Sequence, residues 1–289
     1  MRDGSAALCA RIASAALLQA MARTMKTIAA SNIGQYEAAA RALDKYYDSI
    51  QDSLGLCLRA APAAVLPRAR TGAAGAIVFG SDQGLVGHFN EAICARVLAA
   101  GAPYTVLWPV GERAAVLAEQ QLPVRAFPLP ASIDAVTALV GQLVVAIEAA
   151  TRESGVTRVD VYHHRPDGAS GYVPVCQPLL PLDDAWRRAL LARPWPTRAI
   201  AQVLPAGDAT LRACMREYLF VALFRACAAS LASENAARLA AMQRAEKNIG
   251  ESLEVLRQTF HRQRQGAIDD ELFDLVAGFE AQQALVTKT

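Results

Sequence analysis

Proline is missing from both ends of this chain. All fourteen prolines lie between Pro62 and Pro205, so the first 61 and the last 84 of the 289 residues contain none. Proline breaks helix interiors, and its distribution divides the chain into helix, mixed middle and helix. Lysine is scarce: Lys26, Lys45, Lys247 and Lys288 are the only four. No lysine follows a glycine, which excludes the phosphate-cradling P-loop. No C-x-x-C pair occurs among Cys9, Cys57, Cys94, Cys176, Cys214 and Cys227, which argues against a zinc ribbon or thioredoxin-type site. These cysteines read as small buried apolar residues. There is no H-E-x-x-H spacing and no G-x-S-x-G elbow. His163 and His164 are neighbours on an expected strand and point to opposite faces, so they do not share a metal. His88 and His261 are isolated. No metal, cofactor or catalytic residue is therefore assigned.

The bulk composition excludes further classes. With 53% hydrophobic and 19% charged residues the chain is not disordered. A net charge of +2 is too balanced to mark a nucleic-acid binder. No window of eighteen apolar residues lacks a charge, which argues against a transmembrane helix. Arg11, Arg23 and Lys26 interrupt any secretory h-region. The acid-free stretch from Gly4 to Tyr36 fits either a transit peptide or the start of a long helix.

The alanine-rich N-terminal segment predicts a helix over residues 5–58, bent near Gly34. Leu18, Met21, Met25 and Ile28 follow a 3-4-3 spacing and are read as its apolar seam. At the other end, Pro205-Ala206-Gly207-Asp208 is a breaker followed by an N-cap at Asp208. Ile249, Leu253, Leu256 and Phe260 follow a 4-3-4 spacing, and the helix continues to about Gln283. Roughly 75 residues at about 1.5 Å each give about 110 Å. That is too long for a globular core, so the helix must pack along the N-terminal one in an antiparallel coiled coil. Gly250, Gly266 and Gly278 are read as points of close helix approach, or as places where another backbone comes near.

The middle alternates. Strands are expected at 76–79, 104–110, 124–127, 158–163 and 172–180, and helices at 90–100, 112–121 and 132–152. This predicts a Rossmann-like α/β domain with a largely parallel sheet. Residues 182–205, with Trp186, Trp195 and several prolines, are read as an irregular return. The domains are then 1–61, an N-terminal coiled-coil helix; 62–205, the α/β domain; and 206–289, the C-terminal helix. Gly80-Ser-Asp-Gln-Gly84-Leu-Val-Gly87 lacks the spacing of a dinucleotide loop and reads as a strand-to-helix turn needing positive φ. Arg257, His261, Arg262 and Arg264, followed by Asp269, Asp270, Glu271 and Asp274, read as a solvated helix face or as polar contacts with surrounding partners.

Three blocks carry a family resemblance: Arg23–Asn32 (R-T-M-K-T-I-A-A-S-N), Phe79–Asn90 (F-G-S-D-Q-G-L-V-G-H-F-N), and the run from Ala232 to Gly278 with A-E-K-N-I-G and R-Q-G-A-I-D-D-E-L. Together they resemble the gamma subunit of F-type ATP synthases, in order along the whole chain. The resemblance favours a structural helix over a transit peptide at the N-terminus. It implies a central rotor subunit with no catalytic site of its own. Its partners would be the alpha and beta subunits of the catalytic hexamer, an epsilon-type subunit and the membrane c-ring, with no nucleic acid. Its place would be the cytoplasmic side of a bacterial inner membrane. The family's beta-subunit contact falls on Arg264 and Gln265, with Asp269 standing where the family has threonine and Glu271 matching its glutamate. Gln83, Val86 and His88 depart from the family's D-R-G-L-C-G-G pattern. R-T-M-K followed by Gln35-Tyr36-Glu37 resembles the divergent N-type branch associated with sodium transport. The competing reading is an α/β small-molecule-binding enzyme with helical oligomerisation arms and a ligand site near Gly84. A free-standing coiled-coil adapter is a third.

Overall fold

A computed structural model of the chain describes residues 2–60, 72–119, 124–168, 171–181, 184–198, 201–203 and 208–286. The described elements are α1 (Arg2–Ala42), α2 (Asp44–Ala60), β1 (Ala73–Phe79), α3 (Phe89–Ala99), β2 (Tyr104–Val110), α4 (Glu112–Glu119), α5 (Ile133–Glu153), β3 (Val156–Asp167), β4 (Gly171–Leu180), α6 (Asp184–Ala192) and α7 (Asp208–Val286). The chain separates into two compact units: Met1–Thr27 with Ala241–Thr289, and Ile28–Ala240.

The larger unit is built on a four-stranded sheet in the order β2-β1-β3-β4. β1 is parallel to both β2 and β3, and β4 runs antiparallel to β3. The expected largely parallel sheet is thus present. Period-two alternation sends Ile77, Phe79, Val159 and Val161 to one face and Ala74, Ala76, Val78 and Tyr162 to the other. The second face is covered by α3 through Ile93. The first carries the main core. There α5 contributes Val136, Leu139, Val140, Leu143, Val144 and Ile147, a helical 3-4 spacing. Ser132 caps that helix by accepting from the Ala135 amide. By length and composition α5 could cross a membrane, but its apolar face is the one packed on the sheet. α2 adds Ile50, Leu54 and Cys57 to the core, and α7 adds residues from Leu211 to Ala232.

Several expectations are corrected. The N-terminal helix runs unbroken through Gly34 and breaks at Leu43, between α1 and α2. The stretch 182–205 is not wholly irregular, because α6 occupies its proline-free interval. Leu190 is buried there, Trp186 packs on Tyr218 with ring centroids 4.9 Å apart, and Arg193 just beyond it bonds to Asp48, Gln51 and Asp52 of α2. Gly55 is what lets α6 come this close, since a Cβ there would lie 2.8 Å from the Leu190 carbonyl oxygen. The strand expected at 124–127 is reduced to two isolated parallel bridges, Val124 to Leu107 and Phe127 to Val110, confined between Pro123 and Pro128. Asp208 opens α7 as its first residue, while Pro205-Ala206-Gly207 lie outside the described residues. Cys57 and Cys227 are buried as expected, but Cys9 is exposed.

The largest correction concerns the seam of α1. Leu18 and Met21 are 54% and 53% exposed and Ile28 is exposed too, while Met25 is partly buried. The buried positions are Leu8, Ala22, Ala29 and Tyr36, with Ala15 partly buried between them. They repeat every seven residues and are mostly alanine. The partner residues on α7 are as expected: Leu253 is buried, and Ile249, Leu256 and Phe260 are partly so. Apolar size misled the sequence reading, because the buried line of α1 is made mostly of small residues. In the smaller unit, a Cβ on Gly250 would lie 3.0 Å from Gln19 Nε2. Gly266 has nothing within 4 Å, and the side-chain position at Gly278 lies outside the described residues.

His163 and His164 are both buried, and His164 is fully so. Its ring stacks on Phe89 at 3.9 Å and meets Tyr172 edge-on at 5.1 Å. Neither ring nitrogen of His164 has a hydrogen-bond partner. Burial first, then the Arg165 charge, pushes His163 down to about 4. Burial first, then His163, pushes His164 down to about 3. An unfolded histidine titrates near about 6.5. The stability that neutral rings confer is therefore complete above that pH and is lost as pH falls towards 4.

Two outcomes are expected of the purified chain. In urea unfolding, Ala22→Leu should cost about 1–3 kcal/mol by overpacking the seam, whereas Leu18→Ala should stay within about 0.5 kcal/mol. Lowering the pH from 7 to 4.5 should remove about 2.5 kcal/mol through His164 and about as much through His163, and His164→Phe should roughly halve that dependence.

Candidate functional site

Two of the three sequence blocks fold into defined local structures. In the Phe79–Asn90 block, the Ser81 amide donates to Asn90 Oδ1 at 2.9 Å, and Asn90 Nδ2 donates to Ser81 Oγ at 2.8 Å. Asp82 Oδ1 accepts from the Glu112 amide at the start of α4. Gly80 sits where a Cβ would strike Ala114 Cβ at 2.4 Å. The positive-φ residues of the turn are Gly87 and Leu85, at 61° and 63°, so Leu85 takes a conformation expected of a glycine. His88 has φ of −89°, and replacing the family's glycine there carries no backbone strain. The Gly80 amide is spent on Val110 O of β2 and the Ser81 amide on Asn90 Oδ1 within the turn. They are not offered to a phosphate, which removes the main support for a ligand site near Gly84.

This turn packs on α7. Val86, Phe89 and Tyr172 form a small cluster with Ala237. Beside it lies a buried polar group the sequence reading missed. Arg238 bonds Glu234 at 2.6 Å with both side chains largely buried. Asn32 Nδ2 donates to Asn235 Oδ1 at 3.4 Å, linking α1 to α7. Burial raises the Glu234 carboxyl above its ordinary range, while Arg238 opposes the shift. Burial and the Glu234 charge also raise Tyr36. The S-E-N run at Ser233–Asn235, polar inside an apolar helix, was the available signal.

In the smaller unit, the Arg23–Asn32 block meets the third. Arg23 Nε and Lys26 Nζ grip the two carboxylate oxygens of Glu246, at 3.0 and 2.5 Å. Hydrogen bonding to Lys26, then to Arg23, lowers the Glu246 carboxyl.

The residues assigned by resemblance sit further along α7. Arg264, Gln265, Asp269 and Glu271 are all exposed, and no hydrogen bond or ion pair engages them among the described residues. Helical spacing puts Arg264, Ile268, Glu271 and Leu275 on one line, and Gln265, Asp269, Leu272 and Val276 on the adjacent line. Ile268, Leu272, Phe273, Leu275 and Val276 are exposed, Phe273 by 74%. Pairing in the smaller unit sets Gln19 beside Gly250 and Arg23 beside Glu246, and the exposed residues lie further along α7. From that point the heptad positions on α7 turn from Leu253 and Phe260 to Asp270 and Asp274. What remains is a bare helix surface carrying a forked cation, carboxylates and an apolar strip. Such a surface can bind acids through Arg264 and apolar side chains beside them.

Known proteins resemble this chain along nearly its whole length. The ATP synthase family model matches residues 5–282. The chain is 27% identical over 282 residues to the ATP synthase gamma chain of Moorella thermoacetica, covering 94% of this chain and 96% of the relative. It is 28% identical over 305 residues to that of Granulibacter bethesdensis, covering 95% and 98%. Its fold is similar to a chain of the rotor of the Euglena gracilis mitochondrial ATP synthase in rotational state 1, with a TM-score of 0.65 at 15% identity, covering 93% of this chain and all of the other. A chain of the same synthase in rotational state 3 matches with a TM-score of 0.68 at 14% identity, covering 98% and 96%. With the family model spanning nearly the whole sequence, the chain belongs to the ATP synthase gamma-chain family.

Proposed function

We propose that this gamma subunit works as the non-catalytic central shaft of a rotary ATPase. The paired helices, 1–61 and 206–289, would sit in the bore of an alpha/beta hexamer that holds the nucleotide sites. The α/β domain, 62–205, would form the base, gripping a membrane c-ring and an epsilon-type subunit. The complex would lie at the cytoplasmic side of a bacterial inner membrane. The observation that carries this reading is the exposed stretch of α7 from Arg264 to Val276, where charged and apolar residues lie side by side, in a chain that matches the family over residues 5–282.

The mechanism is coupling by differential contact. A ligand-driven change in the hexamer can turn the shaft only if different angular positions of the shaft have different free energies. A helix face with Arg264 and Glu271 on one line and Gln265 and Asp269 on the next is asymmetric about the helix axis and supplies that difference. Arg264 would make the forked, charge-assisted contact with acids of the surrounding beta subunits. Asp269, in place of the family's threonine, adds a negative charge at the second contact and would favour a donor there. Arg23 and Lys26, the basic pair of R-T-M-K, are held by Glu246, which ties the residues suggesting the N-type branch into the shaft itself.

Arg264→Ala tests the contact. Arg264 is exposed and unengaged, so unfolding of the isolated chain should shift by less than about 0.5 kcal/mol. A charge-assisted hydrogen bond is worth about 1.5–3 kcal/mol, so ATP hydrolysis by the assembled complex, and its coupling to ion movement, should fall by about tenfold or more. Unchanged hydrolysis and coupling would remove Arg264 from this role.

A further inference from the structure

Cys57 and Cys214 lie far apart in sequence but face each other across α2 and α7. Their sulfurs are 3.7 Å apart, in contact. Cys57 is buried in the core, and Cys214 is partly exposed beside it. The remaining cysteines differ: Cys9 is exposed, Cys227 is fully buried in the core of α7, and no contact to another sulfur is recorded for Cys94 or Cys176 among the described residues. Only one thiol pair therefore combines contact with access from solvent.

We propose that Cys57 and Cys214 form an oxidisable dithiol site that takes low-molecular-weight disulfides and closes to an intramolecular disulfide. Cys214 is the entry point. Its thiolate attacks one sulfur of the small disulfide RSSR, forms a mixed disulfide and releases RS⁻. The Cys57 thiolate then attacks Cys214 Sγ, forms the Cys57–Cys214 bond and releases the second RS⁻. Two thiols lose two electrons in all, RSSR gains them, and the two thiol protons end on two RSH. A disulfide needs sulfurs about 2.05 Å apart, so the pair must close by about 1.7 Å. Burial first, and then the neighbouring Cys214, pushes the Cys57 thiol up to about 11. The closing step is therefore slow at neutral pH and speeds up in alkali.

The result is mechanical. α2 and α7 meet here through packing of Leu54, Cys57, Leu211 and Tyr218 in one core. Oxidation makes this a covalent tie, and reduction releases it.

The test uses the reduced full-length chain incubated with oxidised glutathione at pH 8.5, followed by alkylation, digestion and mass spectrometry. Two of the six free thiols should disappear, with a peptide linking Cys57 to Cys214 that dithiothreitol removes. Closing so long a loop should raise Tm by about 5–10 °C. Cys57→Ala and Cys214→Ser should each abolish the linked peptide, and Cys9→Ser should leave it intact. Six thiols persisting, a reaction that stops at glutathione on Cys214, or a bond between two chains through Cys9 would each overturn the proposal.

Discussion

The small-residue seam of α1 is the constraint on which the other features depend. Ala22 and Ala29 are buried along it and Ala15 is partly buried. The seam leaves Arg23 and Lys26 in reach of Glu246, and Asn32 in reach of Asn235. It also turns the larger apolar residues of α1, Leu18 and Met21, outward. A seam of leucines would have hidden those residues and made a thicker pair of helices. The chain instead keeps a thin contact and leaves apolar surface free for other subunits, as a shaft inside a close-fitting ring requires.

The middle of α7 fastens the sheet domain to this helix. The turn from Ser81 to Asn90 is locked by its own side-chain hydrogen bonds and is pressed onto Ala237 through Val86 and Phe89. The buried Glu234–Arg238 pair lies in the same stretch. Breaking one partner of such a pair would strand a charge in the core and cost several kcal/mol. A buried ion pair of this kind, made within α7, is a poor source of net stability, and the turn is held to the helix by the apolar contact of Val86 and Phe89 with Ala237. For a subunit that passes torque from a helix to a domain, one fixed arrangement matters more than a few kcal/mol.

Much of the fold was legible before the structure was known. Proline placement located both long helices, and β2, α3, α4 and α5 fall within about two residues of their expected limits. The sequence reading failed where tertiary contact overrides local pattern. Leu18, Met21, Met25 and Ile28 have the right spacing for a seam, but only Met25 is even partly buried, and the buried line runs through Ala22 and Ala29 instead. α6 was hidden because nine residues between prolines give too little periodicity, and its register depends on Trp186 meeting Tyr218. Arg264 and Glu271 could be named only by resemblance, since an exposed charged helix face has no local signature of what it touches. The Glu234–Arg238 pair was visible as polar residues within an apolar run, but its burial depends on the turn that covers it.

A rotor subunit turns inside its partners. The most direct measurement fixes the alpha/beta hexamer to a surface, attaches a visible probe to the α/β domain of this chain, and records its orientation during ATP hydrolysis. The account predicts sustained rotation in one direction that stops when ATP is withdrawn. A probe that stays at one angle while the assembled complex hydrolyses ATP would contradict it.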